Sequence, residues 1–133
     1  MKHSNAYLFF NGNCKTAMET YQKIFGGELN LKRVGDIPKE EFKGVDPDRV
    51  MHSHLIAPNM QLMASDNMRE DTTVGDNVCL FVECSSPEEV DRFYAALAKD
   101  GEPAMKPDRT FWGAYFGSLT DAFGVSWMLS ATL

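Results

Sequence analysis

Residues 6–27 open with Ala6-Tyr7-Leu8-Phe9-Phe10-Asn11-Gly12-Asn13-Cys14 and continue KTAMETYQKIFGG to Gly27. The run from Ala6 to Asn11 is aromatic and apolar and closes on Asn11-Gly12-Asn13, the pattern of a buried strand ending in a turn. From Cys14 the apolar residues fall at Cys14, Ala17, Met18, Tyr21, Ile24 and Phe25. That spacing places them on one face of a helix. Asn13 stands where a cap is needed, and Gly26-Gly27 offers the left-handed exit.

Strands are expected next at 28–34, 49–57 and 60–65, with Pro58-Asn59 as the tight connection between the last two. The stretches 35–48 and 66–76 are polar or proline-bearing and read as solvated loops. The pattern then restarts. Residues 77–83 read as a strand, and Ser86-Pro87-Glu88-Glu89 has the hydroxyl, first-turn proline and third-position glutamate of a capping box. Val90, Phe93, Tyr94, Leu97 and Ala98 form a helical stripe ended by Gly101. Further strands are expected at 102–106, 114–120 and 125–131, the last two joined by Asp121-Ala122-Phe123-Gly124.

A shift of 73 positions lays Leu8 over Phe81, Ala17 over Val90 and Tyr21 over Tyr94. One supersecondary unit, strand–helix–strand–strand–strand, therefore occurs twice in an α+β chain. The expected organisation is a single domain over 1–133, with one βαβββ module in 1–66, a second in 77–133 and a connecting loop at 67–76.

Composition narrows the function. The chain has 133 residues, 13 Lys+Arg against 19 Asp+Glu, and a formal charge of −6. An acidic chain without clustered basic residues is not built to neutralise a phosphate backbone, so nucleic acid is not an expected partner. No apolar run approaches the length of a membrane helix, and Met1 to Asn5 lacks a signal-peptide pattern. Cys14, Cys79 and Cys84 are odd in number and lack Cys-x-x-Cys spacing, as free thiols of a reducing cytoplasm would be.

The opening Tyr7 to Cys14, the helix closing Tyr21-Gln22-Lys23-Ile24-Phe25-Gly26-Gly27, and Met51-His52 at the head of the third strand resemble the PhnB-like branch of the vicinal oxygen chelate superfamily. Phe111-Trp112-Gly113 and Asp121-Ala122-Phe123-Gly124-Val125-Ser126-Trp127 extend the resemblance over nearly the whole chain. The superfamily includes glyoxalase I, extradiol dioxygenases, fosfomycin-resistance enzymes and bleomycin-binding proteins. The resemblance implies two βαβββ modules whose curled mixed sheet surrounds a cavity, commonly completed in a homodimer.

It also implies one divalent metal held by His or Glu from the first and last strands of each module. Aligned on the Tyr21 helix, those positions fall at Ala6, Met63, Asn77 and Met128. Methyl and thioether groups and a lone amide are poor ligands for such an ion. The family's metal, and any other cofactor, is therefore not expected. The alternative metal site is His52 with His54, which share a strand face, completed by Glu83 or Asp66.

The same two histidines are the candidate catalytic residues, since either imidazole can act as a general base near neutrality. Phe10, Phe81, Phe111, Trp112, Tyr115 and Trp127 are the candidate ligand-binding wall, with Met60, Met63 and Met128 lending adaptability. The competing reading of these aromatics is core packing. Trp112 stands apart from it because it sits in a glycine-bounded loop. The sequence thus favours a metal-independent small-molecule-binding protein. A glyoxalase-type lyase, isomerase or transferase using a metal or the histidines is the alternative, and a dimerisation module is the third reading.

Overall fold

The computed structural model describes residues 1–38, 40–68 and 71–133. The chain divides into two compact units, Met1–Thr73 and Val74–Leu133. In the first unit the aromatic opening becomes strand β1 (Tyr7–Phe10) and the amphipathic segment becomes helix α1 (Cys14–Phe25). Strands β2 (Glu28–Arg33), β3 (Val50–Ala57) and β4 (Met60–Asp66) complete the module. Their order in the sheet is β1-β4-β3-β2. The second unit repeats it with β5 (Leu80–Glu83), α2 (Pro87–Ala98), β6 (Glu102–Arg109), β7 (Ala114–Thr120) and β8 (Ser126–Thr132), in the order β5-β8-β7-β6. The expected pair of βαβββ modules in an α+β chain is what forms.

Each helix covers one face of its sheet. Cys14, Ala17, Met18 and Tyr21 of α1 are fully buried, facing Val50, Leu55, Leu62 and Ala64. Val90, Tyr94 and Leu97 of α2 are buried likewise, with Leu119, Trp127 and Leu129 beneath them. Burying side chains of this size stabilises by about 1.5–3 kcal/mol each. The other face of each sheet is its open face.

Several local expectations are corrected. Asn13 does not cap α1 with its side chain. Asp66 does so from the end of β4: one carboxylate oxygen accepts the amides of Gly12 (2.8 Å) and Cys14 (3.0 Å), and the other accepts that of Val50 (2.8 Å). At α2 half of the expected capping box forms: Ser86 Oγ accepts the Glu89 amide at 3.2 Å, while the Glu89 carboxylate accepts the amide of Ser85 rather than that of Ser86.

Strand β5 starts at Leu80, not at 77, because its parallel partner β8 begins its pairing at Trp127. Strand β6 runs on to Arg109 because Pro103 and Pro107 lie on an edge strand, where a missing amide donor is tolerated. Val34, expected as the end of β2, and the 35–48 stretch, read as a plain loop, hold two short 3-10 turns, Val34–Asp36 and Glu40–Phe42.

The internal repeat is sharper than one offset allows. Ala17/Val90 and Tyr21/Tyr94 are buried pairs at the shift of 73. Leu8 is half-buried whereas Phe81 is 60% exposed, so these two face opposite ways. Pairing registers resolve the mismatch: Tyr7 opposes Met63 in the first sheet as Phe81 opposes Met128 in the second. The first strands are related by 74, since the turn before α1 is one residue longer.

Candidate functional site

Strand β3 is central in the first sheet, and its period-two alternation sends Ser53, Leu55 and Ala57 into buried positions, while Val50 is buried beyond the register shift that follows Lys32. His52 and His54 therefore share the open face, about 7 Å apart along the strand. His54 opposes Met63 on β4 and Asn30 on β2, and Met63 opposes Tyr7 on β1. One row across the open face thus reads Tyr7, Met63, His54, Asn30. Lys32 opposes His52 in the next row.

Each imidazole is tied at one nitrogen. His52 Nδ1 is 3.0 Å from the Tyr7 hydroxyl, and the two rings stack at 5.8 Å with an interplanar angle of 24°. Phe9 packs beside Tyr7 at 5.1 Å. His54 Nε2 is 3.0 Å from Gln61 Oε1. A carboxamide oxygen only accepts, so His54 carries its proton on Nε2 and presents Nδ1 as a lone pair. In the tautomer in which the Tyr7 phenol donates to Nδ1 of His52, that ring carries its N–H on Nε2, pointing away from Tyr7. The two imidazoles thus stand together on β3, beside an apolar strip of Tyr7, Phe9 and Met63 on β1 and β4.

The predicted ligand wall is distributed differently. Phe10 and Trp127 are 4% and 0% exposed and belong to the two cores, so both are packing residues. The Trp127 indole N–H donates to Asp121 at 2.9 Å, and the other oxygen of Asp121 accepts the amides of Phe123 and Val125, forming the turn before β8. Tyr115 points to the helix side, where its hydroxyl donates to Asp91 of α2 at 2.7 Å. That hydrogen bond, with the carboxylate charge behind it, holds the phenol above its ordinary pKa.

Phe81, Phe111 and Trp112 are exposed. Trp112 meets Phe111 edge-on at 5.0 Å and Phe116 at 6.0 Å. The alternation of β7 puts Phe116, not Tyr115, on the open face of the second sheet. There Phe81 and Met128 stand opposite one another.

The thiols are chemically quiet. Burial pushes Cys14 up to about 12, with the Asp66 carboxylate adding to it and the Ser53 contact opposing it. Burial and the nearby Glu89 push Cys84 up to about 11. Cys79 is exposed and raised as well.

A divalent metal finds a poor donor set. Met63 and Met128 offer thioethers, and Ala6 precedes β1 with no donor side chain. Asn77 falls outside β5, so the register equivalent of Tyr7 in the second module is Phe81. Of the two residues named to complete a His52/His54 site, Asp66 has both oxygens engaged by backbone amides. Among the described residues no three His, Cys, Asp or Glu side chains are grouped to hold an ion. The residues do not fit the family's metal.

Two surface clefts of about 340 and 330 Å³ open beside the 34–47 segment, one of them lined by Lys43, Asp46, Arg49 and Asp71 and neither by a histidine. Among the described residues no helix is long and apolar enough to cross a membrane.

Residues 2–130 match the family model described as 3-demethylubiquinone-9 3-methyltransferase. Protein YjdN of Escherichia coli (strain K12) is 32% identical over 93% of this chain and 91% of its own length. The crystal structure of protein PA1353 from Pseudomonas aeruginosa superposes with a TM-score of 0.84 at 32% identity, covering 98% of both chains. The PhnB protein from Bacillus cereus does so with a TM-score of 0.77 at 26% identity, covering 98% of this chain and 100% of that one. More distant structures of the glyoxalase/bleomycin resistance/dioxygenase superfamily, 13–20% identical, share the fold alone. With the paired βαβββ modules and these matches together, the chain belongs to the PhnB-like family, the family described as 3-demethylubiquinone-9 3-methyltransferase.

Proposed function

We propose that the protein binds a small molecule on the open face of its first sheet, around His52 and His54, without the divalent metal of the superfamily's enzymes. The observation that carries this reading is the pair of polar anchors set in an apolar strip. Tyr7 and Gln61 each hold one imidazole by a 3.0 Å hydrogen bond, while Phe9 and Met63 supply contact surface beside them. Binding sites combine largely apolar lining with a few convergent polar groups in this way. The second open face, with Phe81, Met128, Phe116 and Trp112, supports a homodimer or further ligand contact. Cytoplasmic location is part of the same proposal and rests on the free cysteines.

A thermal-shift screen with aromatic metabolites tests the reading, because a ligand that binds only the folded state raises Tm. A rise that disappears in His52→Ala and His54→Ala is expected. A rise that survives in both variants places the ligand elsewhere. The second reading, acid–base catalysis of glyoxalase type, is favoured by the His54 ring, which Gln61 holds at Nε2 and which turns its other nitrogen outward as a general base requires. It predicts turnover of a bound compound, abolished in His54→Ala while binding persists.

A further inference from the structure

We infer that the open face of the first sheet selects an anion carried on a flat apolar body, an aromatic carboxylate being the simplest case, with Lys32 and His52 holding the charge. This rests on the proposed ligand-binding role of that face and names its ligand class. Lys32 and His52 are direct cross-strand partners, so their side chains leave the same face with Cβ atoms about 5 Å apart. The register of β2 shifts immediately after Lys32, which makes it the last residue of β2 held in regular pairing with β3.

No carboxylate among the described residues forms an ion pair with Lys32. Glu28, the acid that shares its face of β2, lies four residues away, roughly 13 Å along the strand. The ammonium is thus left for a ligand. Beside it, the Tyr7 hydroxyl occupies His52 Nδ1 and leaves Nε2–H as a second donor. Two adjacent donors, one of them a full charge, match the two oxygens of a carboxylate, and hydrogen bonds to an ionised acceptor are the strong ones.

The rest of the face fits the remainder of such a molecule. The Tyr7 ring, its neighbour Phe9 and the Met63 side chain lie next to the donors and suit a planar apolar body. The protein's net charge of −6 repels anions in general, so this affinity must come from the local pair. A neutral ring of the same shape gains the apolar contacts but leaves Lys32 uncompensated.

The matched probes 2-naphthoate and 2-naphthamide separate these contributions when titrated into the full-length, 15N-labelled protein. The expected result is that naphthoate shifts the amide resonances of Tyr7, Lys32, His52 and His54 and binds about fivefold tighter than the amide. In Lys32→Gln, which keeps polarity at an exposed position, naphthoate should lose that preference and bind no tighter than naphthamide, whereas His52→Gln, which also removes the ring stacked on Tyr7, should weaken both probes. Equal affinity of the two probes at this face, or unchanged naphthoate affinity in Lys32→Gln, overturns the anion inference and leaves the ligand-binding face standing. If neither probe moves these resonances, the ligand-binding reading fails with it. If instead the same resonances move on dilution of the protein alone, the face is covered by a second copy, and both are overturned.

Discussion

Asp66, the last residue of β4, accepts the backbone amide of Cys14 at 3.0 Å across 52 residues of chain and thereby starts α1. Its other oxygen takes the amide of Val50 at 2.8 Å, so one buried carboxylate joins the helix start, the β1 turn and the head of the histidine strand. A negative group at a helix N-terminus is also favoured by the helix dipole.

Replacing Asp66 with Ala leaves three amides without their acceptor in a site that is 2% exposed. The expected loss is roughly 3 kcal/mol or more, at the upper end of single-substitution effects. Asp66→Asn should cost only somewhat less, because an amide group would turn a donor toward the donating N–H of Val50. Urea unfolding checks this, and a loss of unfolding free energy below about 1 kcal/mol for Asp66→Ala would show that solvent replaces the carboxylate.

How far the sequence speaks is clear from such details. The two modules and both helices were legible, because one-faced apolar spacing over twelve residues is a strong signal. The cap from Asp66 was hidden, since it comes from a strand far along the chain while Asn13 stood at the adjacent position. In the site, His52 and His54 were readable as one face because residues two apart on a strand must point together. Phe10 was read into the ligand wall, whereas Tyr7 and Phe9 face out. A run that is apolar at every position carries no alternation, and only pairing to Met63 shows which side is covered. The same parity problem put Tyr115 in the wall instead of Phe116. Lys32 gave no signal of its own, because its role depends on a register with His52 that the sequence does not state.

Gly27 and Gly101 hold equivalent places after the two helices and should be equally irreplaceable. A methyl group added at Gly27 would lie 2.3 Å from the carbonyl oxygen of Ile56, and one at Gly101 would lie 2.4 Å from that of Thr120. Both obstacles are sheet backbone, which cannot yield as a flexible side chain can. Gly27→Ala and Gly101→Ala should each cost more than about 3 kcal/mol or fail to fold. Gly26 is the control: it also has a positive φ, 79°, but nothing lies within 4 Å of the added carbon. Gly26→Ala should cost about 1–3 kcal/mol, for the backbone alone, since φ 79° with ψ −167° is a conformation kept almost entirely to glycine. Comparable losses at Gly26 and Gly27 would mean that backbone conformation, and not the close approach to β3, sets the requirement.

Cys14 should make the protein sensitive to alkali. Its thiol is raised from 9.0 to about 12 by burial in the folded state. Above pH 9 the unfolded chain loses this proton while the folded chain keeps it, so the unfolded state binds fewer protons and stability falls as pH rises. The contribution is whole below pH 9 and lost progressively toward pH 12. At pH 10.5 the loss is of order 2 kcal/mol. Cys14→Ala removes this dependence, so the difference in unfolding free energy between variant and parent should move in the variant's favour by that amount between pH 8 and 10.5. A difference that stays constant with pH would show that the thiol ionises as readily in the folded protein as in the unfolded one.

The two tryptophans should report on separate places. Trp127 is fully buried and donates its indole N–H to Asp121 at 2.9 Å, while Trp112 is 58% exposed beside Phe116. Acrylamide should therefore quench Trp112 readily and Trp127 hardly at all, giving a curved Stern–Volmer plot for the parent. Trp112→Phe should leave a blue-shifted, nearly unquenched emission with stability within about 0.5 kcal/mol of the parent, as for an ordinary surface substitution. Trp127→Phe should leave the quenchable, red-shifted component and cost about 1.5–3 kcal/mol for the lost hydrogen bond to a carboxylate.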